Sequence, residues 1–401
     1  MSLVRSGPGV RSRFLETPCT PCAGVFVRLA QTLSESGHNR LLHPTRSPWV
    51  GLVLLILAAV MLTRRSGLVA AGLGVMTYES ANRKLPYAGQ CDSTGSSTTV
   101  YMIHSTSTLI LPFIEQAQIY SQFDTTYDVA GYGGTVNAAG NRVLPSGAQL
   151  HSKARGRSYD DTAFPAGQAA AKNSISTFLC ASAPGGSVRD PISNYGGFDY
   201  MFVALSDVNS TPGDPLYGER QVPAGNAAWV AQVQDGCLNC SDKGFARVTD
   251  GTSKTILCME DASRSHPDVG LFGAYSSRDA VTGSSQADPV KKSSASGSAG
   301  ARRVFAWADP DACTNGYSGP SNSTGSKKAV INQNAVPIGG PAECPWQTNN
   351  CGPNDEPFAF HPSGLNLVMA DGSVRFLSES IDGVAVKWLV GARDGQLSPE
   401  F

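Results

Sequence analysis

The feature that most constrains this chain is an uncharged apolar run near its start. Residues 49–63 read WVGLVLLILAAVMLT, a run of 15 residues that Arg64 and Arg65 end. A spanning helix needs about 20 apolar residues, so the run alone is short. Apolar and small residues at helical spacing nevertheless continue beyond it, until Pro86 stops the pattern. The sequence predicts one long helix over residues 49–84, its front half in a membrane and its rear half packed on a head domain. The alternatives are a signal-type segment and a buried core helix.

Charge divides the chain at the same place. Residues 1–65 hold eight Arg and two Glu. Of the 31 basic and 32 acidic residues in the whole chain, residues 66–401 therefore hold 23 basic and 30 acidic ones. The formal net charge of −1 shows no basic excess of the kind typical of nucleic-acid binding. Residues 1–48 lack periodicity and are interpreted as an irregular basic segment. We expect a membrane contact through residues 49–63 and no nucleic-acid partner.

The body of the chain, residues 86–401, is predicted to be a β-rich head with long loops. Residues 279–300 and much of residues 309–355 consist of turn-forming Ser, Gly, Asn and Pro. Together with the N-terminal helix, this pattern predicts the α+β fold class. The shorter patterned segments are residues 99–112 (strand), 113–123 (helix), 195–206 (strand) and 255–259 (strand).

The sharpest local pattern is a hairpin over residues 365–377. Asp371 and Gly372 separate two β-prone stretches and predict a type I′ turn, in which both central residues have positive φ. The residues expected to share one buried face are Leu365, Leu367 and Met369 of the first strand, covered by Val374 and Phe376 of the second.

Ten cysteines favour disulfides in an exported body. Zinc at the C-x-x-C pair Cys237/Cys240 is the alternative, but no histidine follows at the spacing of a zinc finger. The cysteines expected to pair among themselves, in combinations that the sequence leaves open, are Cys237, Cys240, Cys313, Cys344 and Cys351.

Five stretches, in order, resemble a bacterial family. In the last of them, His361 is followed after nine residues by Asp371-Gly372. The chain is similar to the prepilin-type, pseudopilin-like family of unknown function that is expanded in planctomycete bacteria and carries a His-x9-Asp-Gly processing-associated signature. The five stretches are GLGVMTYESANRKLPYAG (72–89), LILPFIEQAQIYSQFD (109–124), ISTFLCASAP (175–184), VTDGTSKTILCMED (248–261) and FHPSGLNLVMADGSVRFLSESID (360–382).

The resemblance implies a helix that anchors the chain in the inner membrane and a β-rich head outside the cytoplasm or at the cell surface. It implies a structural role of the type II secretion or type IV pilus kind, with other pilin-like subunits as partners. The Gly-Phe-Thr-Leu-x-Glu string that precedes the helix in that family does not occur in this sequence. The residues that carry the family signature here are His361, Asp371, Gly372, Asp250, Gly251 and Glu260.

No enzyme is predicted, because the sequence has no G-x-S-x-G elbow, phosphate-binding loop or dinucleotide fingerprint. Asp371 is expected to serve the turn and not to touch His361, whose ring is expected to hydrogen-bond backbone near residues 362–364. A hydrolase built on His361 and the acidic residues is the weaker alternative. No cofactor is expected.

Two binding alternatives stay open. Oxygen ligands from Glu260, Asp261, Asp250 and Asp371 would suit Ca²⁺, although no D-x-D-x-D-G loop is present. The other is an exported solute- or glycan-binding module, in which sugars would stack on alternating aromatic rings. The same spacing is also typical of a half-buried strand without a ligand. The rings in question are Tyr195, Phe198, Tyr200 and Phe202.

Overall fold

The computed structural model describes most of the head and none of the N-terminal segment. The described residues are 66–91, 100–145, 149–161, 163–183, 189, 194–220, 231–262, 306–318, 328, 331–332 and 357–396. All of them belong to one compact unit, Ala58–Phe401. The basic segment 1–48, the apolar run 49–63 and the predicted loop 279–300 lie outside these ranges. Among the helices inside them, none is long and apolar enough to cross a bilayer.

The strands of the described residues form two sheets. A small sheet has the order β1-β4-β3-β2, and a larger one has the order β10-β9-β7-β5-β6 with β8 parallel to β5. The strands are β1 (Val100–Tyr101), β2 (Thr135–Val136), β3 (Arg142–Val143), β4 (Gln149–Leu150), β5 (Tyr200–Ser206), β6 (Gln234–Asp235), β7 (Ile256–Glu260), β8 (Thr314–Tyr317), β9 (Gly364–Met369) and β10 (Val374–Ser378).

Helices complete the α+β class that the sequence predicts. They are α1 (Ser66–Asn82), α2 (Thr106–Ile110), α3 (Ala117–Tyr120), α4 (Pro165–Ala171), α5 (Pro310–Cys313) and α6 (Gly383–Val390). In the described part of the chain, 3₁₀ turns accompany them at Leu111–Ile114, Val129–Tyr132, Ser176–Phe178 and Phe245–Arg247.

Helix α1 covers one face of the large sheet. Its Leu68, Ala71 and Val75 are buried in the same cluster as Val368 of β9. The helix approaches closely because Gly72 has no side chain, and a Cβ there would lie 2.9 Å from Val368. A helix that ends before Pro86 and packs on the head is therefore confirmed over residues 66–82, whereas its predicted membrane part lies outside the described residues.

Helix α6 covers the opposite face, and the sequence analysis did not identify it. Asp382 caps it by accepting hydrogen bonds from Val384 N (2.9 Å) and Ala385 N (3.3 Å). The strands between the two helices are buried on both faces, which explains the nearly continuous apolar sequences of β5, β7 and β9. The cluster under α6 includes Leu365, Leu367 and Met369, as predicted for one face of β9, together with Leu377, Val384, Leu389 and Val390.

The second strand of the hairpin differs from the expectation. Phe376 is 42% exposed, and Val374 packs against the cluster under α1 instead. Val374 pairs directly with Val368, whose side chain points toward α1, so the two share that face of the sheet. Leu377 pairs with Leu365 and packs with it in the cluster under α6.

The hairpin is confirmed, but its turn is not type I′. Met369 N donates to Ser373 O and Gly372 N donates to Met369 O, both at 2.9 Å, so the loop has three residues. Only Gly372 has positive φ, +82°, whereas Asp371 does not. A turn that ends in one left-handed glycine is the usual geometry of a loop of that length.

Two local predictions were wrong. Within the predicted strand 99–112, the described residues 100–112 form only the short β1 before α2, because Ser105 Oγ accepts from Thr108 N at 3.0 Å and starts a helix. Residues 113–123 do not form one helix, since Glu115 has a φ of +63° and separates a 3₁₀ turn from α3.

Candidate functional site

Glu260 stands at the end of β7 with its carboxylate buried; 1% of the residue is exposed. Pairing of Met259 with Leu367 brings Glu260 beside Asn366 of β9. Asn366 donates to Glu260 Oε2 from its backbone nitrogen at 2.6 Å and from Nδ2 at 3.2 Å. The backbone of β9 thus orients the carboxylate and leaves Oε1 facing the neighbouring side chains.

His361 precedes β9 and meets that oxygen. Its Nε2 lies 3.1 Å from Glu260 Oε1 and 3.3 Å from Ser182 Oγ. Asn332 Nδ2 donates to the His361 carbonyl at 3.4 Å and so helps to hold the segment. The expectation that the ring bonds backbone near residues 362–364 was wrong, because the fold presents a buried carboxylate to it.

Cys180 completes the group from a third segment, just after the 3₁₀ turn Ser176–Phe178. Its Sγ lies 3.5 Å from Glu260 Oε1 and 2.9 Å from Ser182 Oγ. Its backbone nitrogen donates to Asp199 Oδ2 at 2.8 Å. One ligand atom each from Cys180, Glu260 and His361 lies within 4.8 Å of the other two. We call these three residues the Cys–Glu–His cluster.

The cluster changes the protonation of its histidine. The Cys180 sulfur and then the Glu260 carboxylate accept hydrogen bonds from the ring, and they raise the pKa of His361 to about 10 despite partial burial. A thiol, an imidazole and a carboxylate are also the three side-chain types that bind borderline-soft divalent metals. The group therefore suits either a charged hydrogen-bonded pair or a cation.

The arrangement differs from a nucleophile–histidine–acid relay. In such a relay the nucleophile and the acid contact opposite nitrogens of the imidazole. Here Glu260 Oε1 and Ser182 Oγ both lie within 3.3 Å of the same nitrogen, Nε2. The acid and the hydroxyl therefore meet one nitrogen instead of contacting opposite sides of the ring.

The other residues of the predicted signature lie at the opposite end of the β7–β9 pair. Asp371 Oδ1 accepts from Ser373 N at 2.9 Å and serves the turn, as predicted. Asp250 Oδ2 accepts from Asp394 N at 2.6 Å and Oδ1 from Gly395 N at 3.2 Å. Gly251 has a φ of +104° in the turn before β7. These residues hold loops together.

A calcium site made from Glu260, Asp261, Asp250 and Asp371 together is therefore not formed. In the register of β7 with β9, Ile256 pairs with Met369 and Met259 with Leu367, so Glu260 and Asp371 point to opposite strand ends. At about 3.3 Å per residue, the length of β7 alone separates them by more than about 10 Å. Asp371 and His361 are kept apart in the same way, as expected.

The aromatic rings proposed for sugar stacking are inside the core. Each of them has at most 3% of its surface exposed, so none offers a face to a ligand. The strand is buried on both sides, not half-buried as predicted. The residues are Tyr195, Phe198, Tyr200 and Phe202.

The cysteine predictions need correction. Cys240 forms a disulfide with Cys91, a residue outside the predicted set. The segment with Cys91 runs beside residues 239–243, where Ala88 N donates to Asn239 O at 3.1 Å, a proximity that spacing does not reveal. Cys237 and Cys313 are buried thiols outside any disulfide, and the disulfide rules out zinc held by both Cys237 and Cys240. Cys344 and Cys351 lie outside the described residues.

Sequence reasoning found two members of the cluster and missed the residues that complete it. No functional role was predicted for Cys180, Ser182 or Asn366. A usable signal existed, because all three lie inside stretches that resemble the family.

Comparisons with known proteins support membership of an uncharacterised family. No curated protein and no solved structure matches the chain. A family model with the short name SBP_bac_10 matches residues 70–383, which includes the Cys–Glu–His cluster and both ends of the β7–β9 pair. The chain belongs to the family described as "Protein of unknown function (DUF1559)".

Proposed function

We propose that this protein is a non-enzymatic, membrane-anchored structural subunit of the pseudopilin kind, which displays its head outside the cytoplasm. The observation that carries the proposal is helix α1. Its inner side is buried against the sheet, whereas Val69 and Leu73 on another side are 42% and 57% exposed. An apolar stripe on a helix that directly follows an apolar run is the surface by which one such subunit would pack on the helix of another copy.

The disulfide supports a location of the head outside the cytoplasm. Disulfides persist outside the reducing cytoplasm, and Cys91–Cys240 ties the segment after α1 to the loop before β7. A head at the cell surface or outside the inner membrane is consistent with that bond.

The anchor is tested on the full chain by flotation with membranes. We expect the unsubstituted protein to float and to resist alkaline extraction, and Leu55→Arg to lose much of this association, because an arginine at the centre of a span costs about 2.5–3.5 kcal/mol. Phe376→Arg is the matched control, since this exposed side chain belongs to the head. An unsubstituted chain that stays in the supernatant would overturn the anchor.

Packing between copies is tested by cysteine cross-linking of membrane-bound protein. Leu73→Cys is expected to give a dimer, and Phe376→Cys, on a similarly exposed apolar residue of the head, is expected to give none. Equal cross-linking at both positions would argue against a helix interface.

A solute-binding module is the second candidate, favoured by a cleft beside the disulfide. The cleft has a volume of about 490 Å³ and is lined by polar groups that include Asn141, His151 and Asn239. This volume is in the range of small-molecule sites. Thermal shifts with a panel of sugars and amino acids test the idea, and a shift that Asn239→Ala removes would support it. If no compound in the panel shifts the melting temperature, the solute-binding candidate is rejected and the structural role remains.

A further inference from the structure

We propose that Cys180, Glu260 and His361 form a tetrahedral site for a divalent cation of the zinc class. The ligand atoms are Cys180 Sγ, Glu260 Oε1 and His361 Nε2. This inference does not depend on a membrane anchor or on contacts between copies.

The distances between the ligand atoms match those around a tetrahedral zinc ion. Bonds of about 2.3 Å to sulfur and about 2.0–2.1 Å to nitrogen and oxygen place a sulfur about 3.5 Å from either light atom, and nitrogen about 3.3 Å from oxygen. Here Sγ lies 3.5 Å from Oε1 and Nε2 lies 3.1 Å from Oε1. The sulfur lies within 4.8 Å of a ring nitrogen of His361. Two of the three edges of the proposed tetrahedron are therefore close to their expected lengths.

The ligands are held by groups around them, as in established zinc sites. Asn366 N donates to Glu260 Oε2 at 2.6 Å, and its Nδ2 lies 3.2 Å from Oε2 and 3.3 Å from Oε1, so the backbone bond fixes the carboxylate with Oε1 toward the cluster. Asp199 holds the backbone of Cys180, and Asn332 holds that of His361. Ligands fixed in this way need little reorganisation when a cation binds.

Ser182 lies next to the fourth position. Its Oγ lies 3.3 Å from His361 Nε2 and 2.9 Å from Cys180 Sγ. The second distance is shorter than the edge of about 3.5 Å between a sulfur and a light-atom ligand, so Ser182 is a hydrogen-bonding neighbour of the site and not its fourth ligand. The His361 side chain is 15% exposed, whereas that of Glu260 is 2% exposed, so the site opens toward solvent on the histidine side. A water hydrogen-bonded to Ser182 would complete the coordination there.

The donor set selects the cation class. Ca²⁺ and Mg²⁺ take six or more oxygen ligands, which a site with a thiolate and an imidazole does not provide. Zinc accepts sulfur, nitrogen and oxygen together in four-coordinate geometry. The bound ion would join three segments that are far apart in the chain, at residues 180, 260 and 361.

The test is zinc binding by the purified full chain after treatment with a chelator. Zn²⁺ is expected to raise the melting temperature where Mg²⁺ does not, and Co²⁺ is expected to give the intense absorption of a tetrahedral site with a thiolate ligand. Cys180→Ser should remove one equivalent of bound metal and the sulfur band. Cys237→Ser, at a buried thiol outside the cluster, is the control and should retain both.

Glu260→Gln and His361→Asn give a second route if Cys180→Ser fails to fold. Each should weaken zinc binding at least tenfold while circular dichroism shows a folded head. Equal zinc content and equal thermal shifts in the unsubstituted chain and all three variants would overturn the site. So would an unsubstituted chain that retains no zinc after dialysis and shows no shift, which would leave a hydrogen-bonded histidine in its place.

Discussion

The two ends of the β7–β9 pair both carry acids of the predicted signature, but these acids have different hydrogen-bond partners. At the turn end, Asp371 accepts from Ser373 N and Asp250 from Asp394 N, so backbone donors of nearby loops occupy the carboxylates. At the cluster end, Glu260 gives one oxygen to a backbone nitrogen and turns the other toward His361 and Cys180. A carboxylate whose oxygens accept hydrogen bonds from loop backbone stabilises a turn. A carboxylate that faces buried side chains from distant segments is available for chemistry.

The largest expected effect is at the cluster end. Glu260→Ala removes the acceptor of Asn366 N and leaves the His361 ring without its carboxylate in a buried place. Breaking a buried pair in this way costs about 3–5 kcal/mol of unfolding free energy. Urea unfolding, followed by the fluorescence of the buried Trp307, measures it.

The matched variant for this change is Glu260→Gln. Its amide oxygen still accepts from Asn366 N, so the loss should be clearly smaller than that of Glu260→Ala. Equal losses in the two variants would show that burial, and not the hydrogen bond, is what Glu260 contributes.

Acidification should destabilise the protein through a second histidine, which contacts a backbone carbonyl where the histidine of the cluster contacts a carboxylate. His104 Nε2 contacts the backbone carbonyl of Asp124 at 3.2 Å instead of a carboxylate, and burial lowers the pKa of His104 to about 4. Below pH 6.5 the unfolded chain binds a proton that the folded chain does not, so stability falls as the pH decreases from 6.5 to 4. At about 1.4 kcal/mol per unit, the loss reaches about 3 kcal/mol.

The check for His104 is the difference between the unsubstituted chain and His104→Gln over that pH range. The glutamine variant lacks the titrating group and should lose less stability on acidification. Parallel curves for the two proteins would show that His104 does not carry the shift.

The sequence predicted the parts of the molecule that depend on neighbours in the chain. The hairpin, the alternating face of β9 and the role of Asp371 follow from local patterns that repeat every two residues or end in Asp-Gly. The Cys–Glu–His cluster, the Cys91–Cys240 disulfide and the burial of Tyr200 depend on which strands lie side by side, and no spacing encodes the register of β7 with β9. The break at Glu115 likewise came from a left-handed residue that helical spacing does not reveal.

A glycine tests how much the turn end contributes. Gly372 has a φ of +82°, and a Cβ there would lie 2.8 Å from the sulfur of Met76 in α1. Gly372→Ala should therefore cost roughly 1–2 kcal/mol for the left-handed conformation, with an additional loss from the displaced Met76. Gly251→Ala is the control, because its φ is +104° but the nearest atom, Lys254 Cγ, is 3.9 Å away.

The measurement is again urea unfolding, now on the two glycine variants. If Gly251→Ala costs as much as Gly372→Ala, the strain comes from the backbone alone, and the contact between the turn and α1 is unimportant.

The smallest expected effect decides whether the two ends differ at all. Asp371→Ala removes the hydrogen bonds that its exposed carboxylate accepts from Ser373 N and Ser373 Oγ. Because water replaces them, the loss should be about 1 kcal/mol, and Asp371→Asn, which keeps the acceptor, should lose less. Zinc binding by both variants should equal that of the unsubstituted chain, since the turn lies at the far end of the strands. A loss as large as that of Glu260→Ala, or a change in zinc binding, would mean that the residues of the predicted signature act as one unit and that the division between turn and cluster is wrong.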